Sequence, residues 1–473
     1  MDLAKLLAPL GQAAPPIPVA GVTHDSRKVQ PGFVYVALKG QRHDGHAFIK
    51  DALRQGAVAV VGEAPLDLPV PYVRVENARR ALSALAAAFY GHPSRNLKVI
   101  GVTGTDGKTT TSHLIHYLLG VLGTPAGLVS SVGYAFGEEW RFPEGHFTTP
   151  EAPELQRVLA EMRDRGLTHA VVETSSHALA QLRVADVEYD LAVWTHLAPE
   201  HLDFHGSMEA YFEAKASLVR RTPFSVLNAG CPYARRLFER PHLAYGEGGA
   251  IFAKNVEETP EGLRFLLVYE GREVPVLLPM IGAYNLENAL AALATLKALG
   301  HPLPEAAEAL SRFPGVPGRM QILATRPVRL VVDFAHTPGA LEKALNALRP
   351  TTEGRLLVVV GAAGERDPGK RRPLGEIAGR LADLVIFTEE DSRSEDPEAI
   401  LSELAAGARG GRAVVHLEPD RREAIRHAAR LARPGDTVLF AGKGHERTLE
   451  RADEVLPWDE AAEVLRAFGI ESA

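Results

Sequence analysis

The residues best suited to chemistry stand in one run, residues 99–111. An apolar, β-branched stretch (Val99, Ile100, Val102) leads into Gly101, Gly104 and Gly107, and Lys108, Thr109 and Thr110 follow. Glycines let backbone N–H groups approach a phosphate, and the start of the next helix carries partial positive charge. Lys108 is placed to reach the outer phosphates of a nucleotide, and the Thr109 hydroxyl to hold Mg²⁺. Thr105 and Asp106 complete the loop. The spacing departs from the common G-x-x-x-x-G-K-[ST] pattern, because position 102 is valine and glycines stand at 101 and 104 instead. The structural alternative is a tight strand–helix turn with a solvated lysine.

Two further groups belong with this loop. Glu173 closes the apolar run 170–173, and His201 follows the run 190–194. A carboxylate at the end of a buried strand falls at the ligand edge of a parallel sheet. Glu173 and His201 are therefore candidate ligands of Mg²⁺ or its waters, although imidazole is an unusual partner for so hard a cation. A salt bridge is the alternative for Glu173. His196, Glu200, His201, Asp203 and His205 have the residue types of a zinc site but no thiol. Lys215 lies mid-helix, and its spacing alone reads as a solvated lysine. In the last third of the chain, four clusters mixing acids and bases follow strand ends: 333–336, 361–373, 389–397 and 442–446. Mixed charge of this kind suits a zwitterionic or diamino ligand.

These residues need elements to hold them. Alternation at Val34, Val36 and Leu38 and the run 57–61 predict strands, and 78–90 predicts an alanine-rich helix stopped by Pro93. Residues 1–97 make a first domain. Residues 98–321 make a second, with strands at 170–173 and 190–194 and helices at 155–162, 207–220 and 285–299. A period-two stretch over 251–279 predicts a small antiparallel sheet within it. Residues 313–318 read as a linker. Residues 322–473 alternate strands (330–333, 356–360, 384–387, 413–416, 437–440) with helices, as βαβ units do. The expected fold class is α/β in three domains: an N-terminal α/β domain, a central P-loop parallel-sheet domain with an added antiparallel sheet, and a C-terminal Rossmann-like domain.

Bulk properties narrow the function. The chain has 473 residues, 46% hydrophobic and 23% charged, as a globular protein does. A net charge of −7 argues against a nucleic-acid surface. One cysteine, Cys231, fits a reducing compartment. No apolar run reaches the ~18 residues of a membrane span, and the N-terminus lacks a signal-peptide pattern. The expectation is a cytoplasmic monomer.

The motifs together resemble the Mur ligase family, ATP-dependent enzymes that form amide bonds in the peptidoglycan stem peptide. Within it the chain most resembles the MurE branch, which adds the third residue. The resemblance rests on residues 25–27, 44–46, 104–109, 148–150, 173–179, 201–203, 211–215, 285–288, 318–319, 333–338 and 442–446. Its Gly-Thr-x-Gly-Lys-Thr form accounts for the unusual glycine spacing. The resemblance implies an ATP-dependent acid–amino-acid ligase (EC 6.3.2 type) with Mg²⁺, whose small-molecule substrates are UDP-MurNAc-L-Ala-D-Glu and a diamino acid. Ser26 and the loop 41–45 would bind the UDP end in the first domain. Thr148, Thr149, Ser175, Gln181 and Arg183 would hold sugar and peptide. Gly104, Thr105, Asp106, Gly107, Lys108, Thr109 and Thr110 would hold ATP with Asn288, Arg319, Asp333 and His336. Thr109, Glu173, His201 and Lys215 would hold metal, with Lys215 carbamylated by CO₂. Lys108, Lys215 and His201 would be catalytic. Arg372, Asp391, Arg393, Gly442 and Glu446 would receive the amino acid.

In the branch that adds meso-diaminopimelate, the pocket commonly reads Asp-Asn-Pro-Arg; here it reads Glu390-Asp-Ser-Arg393. A carboxylate at Asp391 favours a lone distal ammonium over an ammonium with a carboxylate. L-Lysine or L-ornithine is thus favoured, while Arg393 keeps meso-diaminopimelate open. Another Mur-type or folylpolyglutamate-type ligase is the more distant alternative. An NTP-driven switch would have no need of the C-terminal clusters.

Overall fold

The computed structural model describes residues 1–40, 43–142, 147–259 and 261–470. The chain forms two compact units, one of residues 1–251 and 291–302, the other of residues 252–290 and 303–473.

The first unit holds two sheets. The N-terminal sheet is four parallel strands in sequence order: β1 (Gly21–Thr23), β2 (Phe33–Val36), β3 (Ala59–Gly62) and β4 (Tyr72–Arg74). The helix Ala78–Phe89 covers it, and Ala81, Leu82 and Leu85 share one apolar core with Val34, Val36 and Val61. The central sheet is built on β5 (Lys98–Thr103), β6 (Ala126–Val129), β7 (Tyr134–Phe136), β8 (Glu139–Arg141), β9 (His169–Glu173), β10 (Leu191–Trp194), β11 (Phe224–Asn228) and β12 (His242–Tyr245). Their spatial order is β12-β11-β10-β5-β9-β6-β7-β8, parallel as far as β6 and antiparallel for β7 and β8. Register aligns the strand ends that matter: Val102 lies opposite Glu173, and Thr103 opposite Trp194. The expected helices appear at Ala152–Asp164 and Met208–Arg221.

The second unit contains the expected antiparallel sheet, β13 (Ile251–Thr259, from residue 252), β14 (Gly262–Tyr269) and β15 (Arg272–Leu278). It also carries a six-stranded sheet of β16 (Gln321–Ala324), β17 (Arg329–Asp333), β18 (Leu356–Val360), β19 (Leu384–Phe387), β20 (Val414–Leu417) and β21 (Thr437–Ala441). The order is β16-β17-β21-β18-β19-β20, with only β16 antiparallel, and helices cover both faces. A hairpin, β22 (Thr448–Arg451) and β23 (Glu454–Pro457), follows. Parallel strands need crossovers, and the helices supply them. The four mixed-charge clusters begin at or just past the carboxyl ends of β17, β18, β19 and β21, where open α/β sheets bind ligands. Among the described residues, no helix is long and apolar enough to cross a membrane.

Candidate functional site

The glycine-rich turn joins β5 to the helix Lys108–Val121, whose Leu114, Ile115, Leu118 and Leu119 are fully buried. Gly107 precedes the helix at φ +82°. At Gly104 (φ +154°) a Cβ atom would stand 1.9 Å from Thr195 Oγ1, so no other residue fits without moving backbone or Thr195. The segment after β10 clamps the turn. Thr195 Oγ1 donates to Asp106 O (2.6 Å), Thr105 N to His196 O (2.6 Å), and Ala198 N to Thr105 Oγ1 (3.0 Å). Lys108 Nζ donates back to Thr105 O at 2.7 Å.

At the far side of the turn, Thr109 Oγ1 donates to Glu173 Oε1 at 2.9 Å. Ser131, just past β6, donates from its backbone N to Glu173 Oε2 at 2.9 Å. Thr109 and Glu173 are both buried. Two oxygen donors meeting in a buried spot beside a phosphate loop are a fitting donor set for Mg²⁺. His201 is half exposed, packs edge-on against the His177 ring (4.7 Å) and lies 3.7 Å from Glu200. Burial lowers its pKa, and Glu200 opposes that. Among the described residues, no group of three or more His, Cys, Asp or Glu side chains is arranged to hold a metal ion.

Lys215 is not the solvated lysine its spacing suggests. It is 1% exposed, donates to Gly104 O at 2.6 Å and lies over the Tyr211 ring at 4.8 Å. Burial, then the charge of Lys108, pushes its pKa well below the usual lysine range, with Glu200, Glu173 and Asp106 opposing. Burial of this kind favours the neutral, nucleophilic form of the amine.

Thr149, Ser175, Gln181 and Arg183 come together beside Glu173. Thr149 Oγ1 donates to Glu173 O (2.7 Å) and accepts from Ser175 N (3.0 Å). Arg183 donates to Thr149 O (3.0 Å) and Gln181 Oε1 (2.6 Å). Thr148 adjoins them in sequence and is half-buried. Ser26 opens a short turn after β1 that Asp25 caps through Arg27 N. In the loop 41–45, Gln41 and Arg42 lie outside the described residues.

The second unit gathers the remaining candidates. Asp333 ends β17, accepts from Met320 N (2.7 Å) and Ala335 N (2.9 Å), and is raised in pKa by burial against the pull of Arg319. Arg319 lies over the Phe334 ring (4.9 Å), and His336 contacts Phe334 O through Nδ1 (2.9 Å). Asn288 donates to Asn285 Oδ1 at 2.9 Å. Asp391, Gly442 and Glu446 cluster around Lys443, whereas Arg372 is exposed. Lys443 is fully buried and donates to Asp391 Oδ1 (2.8 Å) and pairs with Glu446 Oε2 (2.6 Å). Asp391 Oδ1 also accepts from Glu450 N (2.9 Å), so its charge is already balanced inside the protein. Arg393 pairs with Glu450 (2.8 Å).

The neighbouring Glu390 behaves differently. It is buried, its Oε2 has no hydrogen-bond partner, and it stands 2.9 Å from where a Cβ would lie on Gly442. Burial raises its pKa to about 7 against the pull of Lys370, Lys443 and Arg421. Sequence reasoning placed the anionic determinant at Asp391 and passed over Glu390, Ser131 and Thr195. Thr195 directly follows β10, Ser131 stands two residues past β6 and Glu390 three past β19, and that placement is their signal in the sequence.

Fold and site define a P-loop, nucleotide-dependent α/β protein of three domains. Three family descriptions match in order: Mur ligase family, catalytic domain (residues 18–90), Mur ligase middle domain (102–296) and Mur ligase, glutamate ligase domain (318–444). A UDP-N-acetylmuramyl-tripeptide synthetase of Deinococcus radiodurans is 52% identical over 94% of both chains. A UDP-N-acetylmuramoyl-L-alanyl-D-glutamate–2,6-diaminopimelate ligase of Geobacillus thermodenitrificans is 40% identical, again over 94% of both. A solved structure of a ligase of that same description superposes with TM-score 0.70 and 31% identity over 99% of both chains. The chain belongs to the Mur ligase family, the ATP-dependent peptide ligases of peptidoglycan synthesis.

Proposed function

We propose that this ligase adds the third stem-peptide residue, joining a diamino acid to UDP-MurNAc-L-Ala-D-Glu. The buried Thr109–Glu173 pair beside the phosphate loop, with the buried amine of Lys215, carries the reading. The names of the relatives support it, since they describe tripeptide synthetases and diaminopimelate-adding ligases. Thr109 and Glu173 are the Mg²⁺ ligands in this reading, and His201 and Lys215 adjoin them. When bound, Mg²⁺ offsets negative charge on the phosphoryl oxygens. Lys108 turns from Thr105 O toward the γ-phosphate and stabilises the charge gathered there. The terminal glutamyl carboxylate attacks the γ-phosphorus in line and ADP departs. The neutral amine of the amino acid then attacks the acyl phosphate, forming the amide and releasing inorganic phosphate and a proton.

The neutral Lys215 amine adds CO₂ to give a carbamate and a proton, turning a buried cation precursor into an anion beside the metal ligands. For the amino acid, we favour L-lysine or L-ornithine. Asp391 is paired with Lys443, so the supporting feature is Glu390, a buried carboxyl with an oxygen still lacking a donor. A distal ammonium satisfies it, whereas a distal carboxylate does not. The fixed pair Arg393–Glu450 leaves less positive charge for a distal carboxylate than Arg393 alone would. The test is phosphate release with the UDP-linked dipeptide and each of lysine, ornithine and meso-diaminopimelate. Release with a basic amino acid above that with meso-diaminopimelate is expected, and the reverse order overturns the amino-acid choice.

A further inference from the structure

The six-stranded sheet of the second unit ends on β20, and that edge is open. Val414, Val415 and Leu417 are 59%, 36% and 51% exposed, on a strand that contains no Lys, Asp, Glu or Pro. Its four residues pair in unbroken register with β19. Natural sheets protect an edge with charge, proline, a bulge or shortness, because its unpaired N–H and C=O groups recruit another strand. Other edges of this protein carry such protection. β16 has a register shift between Ile322 and Ala324, β15 carries Pro275 with exposed Arg272 and Glu273, and β8 is bounded by exposed Glu139 and Arg141. β20 has its shortness alone.

Backbone direction fixes what pairs there. Val414 N donates to Asp383 O (3.0 Å) and Glu418 N to Phe387 O (2.9 Å), both on the β19 side. Alternate residues of a strand turn their N–H and C=O to opposite sides, so Val415 and Leu417 present theirs to the open edge. We propose that the protein forms a two-fold dimer, in place of the monomer expected from sequence, by antiparallel pairing of β20 with β20 of a second copy, centred on Val415. In that register the two Val415 residues exchange both backbone hydrogen bonds. Val414 stands opposite His416, Ala413 opposite Leu417, and Arg412 opposite Glu418. Apolar residues meet at the centre, and each end carries a pair of opposite charge. Arg412, which also reaches Leu381 O and Asp383 in its own chain, keeps its side chain 53% exposed. Centring on His416 instead sets Glu418 against Val414 and loses the Arg412–Glu418 pairs. Pro419 ends the pairing at either side. A two-fold pairing closes on itself. The joined sheet then ends on its two β16 edges, where the register shift lies.

The experiment uses the full chain in sedimentation velocity over a concentration series. So short an interface gives weak association, so wild type should pass from the 51.0 kDa chain mass to twice that mass across the micromolar range. A wild type that keeps the chain mass into the millimolar range overturns the pairing. Val415→Pro removes an N–H that faces the open edge and no bond to β19, so it should abolish the dimer and leave phosphate release unchanged. Glu418→Arg sets like charges at both ends and should weaken association by about tenfold, and adding Arg412→Glu should restore it. That exchange decides the question where Val415→Pro does not fold. Under oxidation, Val415→Cys should cross-link two copies about tenfold faster than His416→Cys, because only residue 415 lies opposite itself. The chain's own Cys231 is fully buried. A dimer unmoved by Val415→Pro and Glu418→Arg, or cross-linking that is no faster at Val415→Cys than at His416→Cys, overturns the proposal.

Discussion

Glu390→Gln is the substitution whose consequences follow most fully from the structure. The side chain is buried, flanked by Lys370, Lys443, Arg421 and Glu446, and burial raises its pKa from 4.5 to about 7. A carboxyl whose pKa is higher in the folded than in the unfolded state favours folding at low pH. That contribution is fully present below pH 4.5 and is lost as the pH rises through about 7. At about 1.4 kcal/mol per tenfold in proton affinity, the gap between the two values is worth about 3 kcal/mol. Glutamine keeps the shape and one acceptor but does not titrate. Urea unfolding of wild type and variant at pH 5 and pH 8, compared as a difference at each pH, isolates this residue from the other titrating groups. Part of that is already lost at pH 5, so the variant should gain about 2 kcal/mol or slightly more on wild type between pH 5 and pH 8. In turnover, the same variant should raise the KM for a basic amino acid by about tenfold and leave the KM for ATP unchanged. An identical pH dependence in the two proteins, together with an unchanged amino-acid KM, would refute the assignment of Glu390 as a buried carboxyl awaiting an ammonium.

Other substitutions probe separate parts of the account. Gly104→Ala sets a methyl group into Thr195 Oγ1 and should lower kcat/KM for ATP by at least tenfold, measured by phosphate release; Thr195→Ala in the same chain should restore part of it. Lys443→Met removes a buried cation that pairs with both Asp391 and Glu446, and should destabilise the protein by about 3–5 kcal/mol in urea unfolding at pH 7. Asp391→Asn in the Lys443→Met background should recover part of that loss. Lys215→Ala should abolish turnover, and wild-type activity should fall in CO₂-depleted buffer and return with bicarbonate; full activity of Lys215→Ala would remove the carbamate from the mechanism.

Local patterns carried much of this structure. The β5 turn and its helix were readable because a β-branched run, glycines and a helix-forming segment each have a local cause. The alternation of strands and helices after residue 322 was readable for the same reason, and β17, β18 and β19 end where their apolar runs end. What depends on contacts between distant residues was not. Lys215 looked solvated because nothing in its own helix shows that Nζ reaches Gly104 O, 111 positions earlier in the chain. Asp391 looked like a free anion because its partner, Lys443, lies 52 residues away. Glu390, beside it, differs in that its Oε2 finds no donor, and that is a property of the folded site alone. The clamp that Thr195 places on the turn likewise arises from the parallel pairing of β10 with β5, which sets Trp194 opposite Thr103.

The central claim is that a carboxylate is activated by phosphorylation at the Thr109–Glu173 site before the amine attacks. Its most direct test is oxygen transfer. UDP-MurNAc-L-Ala-D-Glu labelled with ¹⁸O in the terminal glutamyl carboxylate is turned over with unlabelled ATP and amino acid, and the released phosphate is analysed by mass spectrometry. Passage through an acyl phosphate places one carboxylate oxygen in each phosphate released; product formation with unlabelled phosphate would contradict the mechanism.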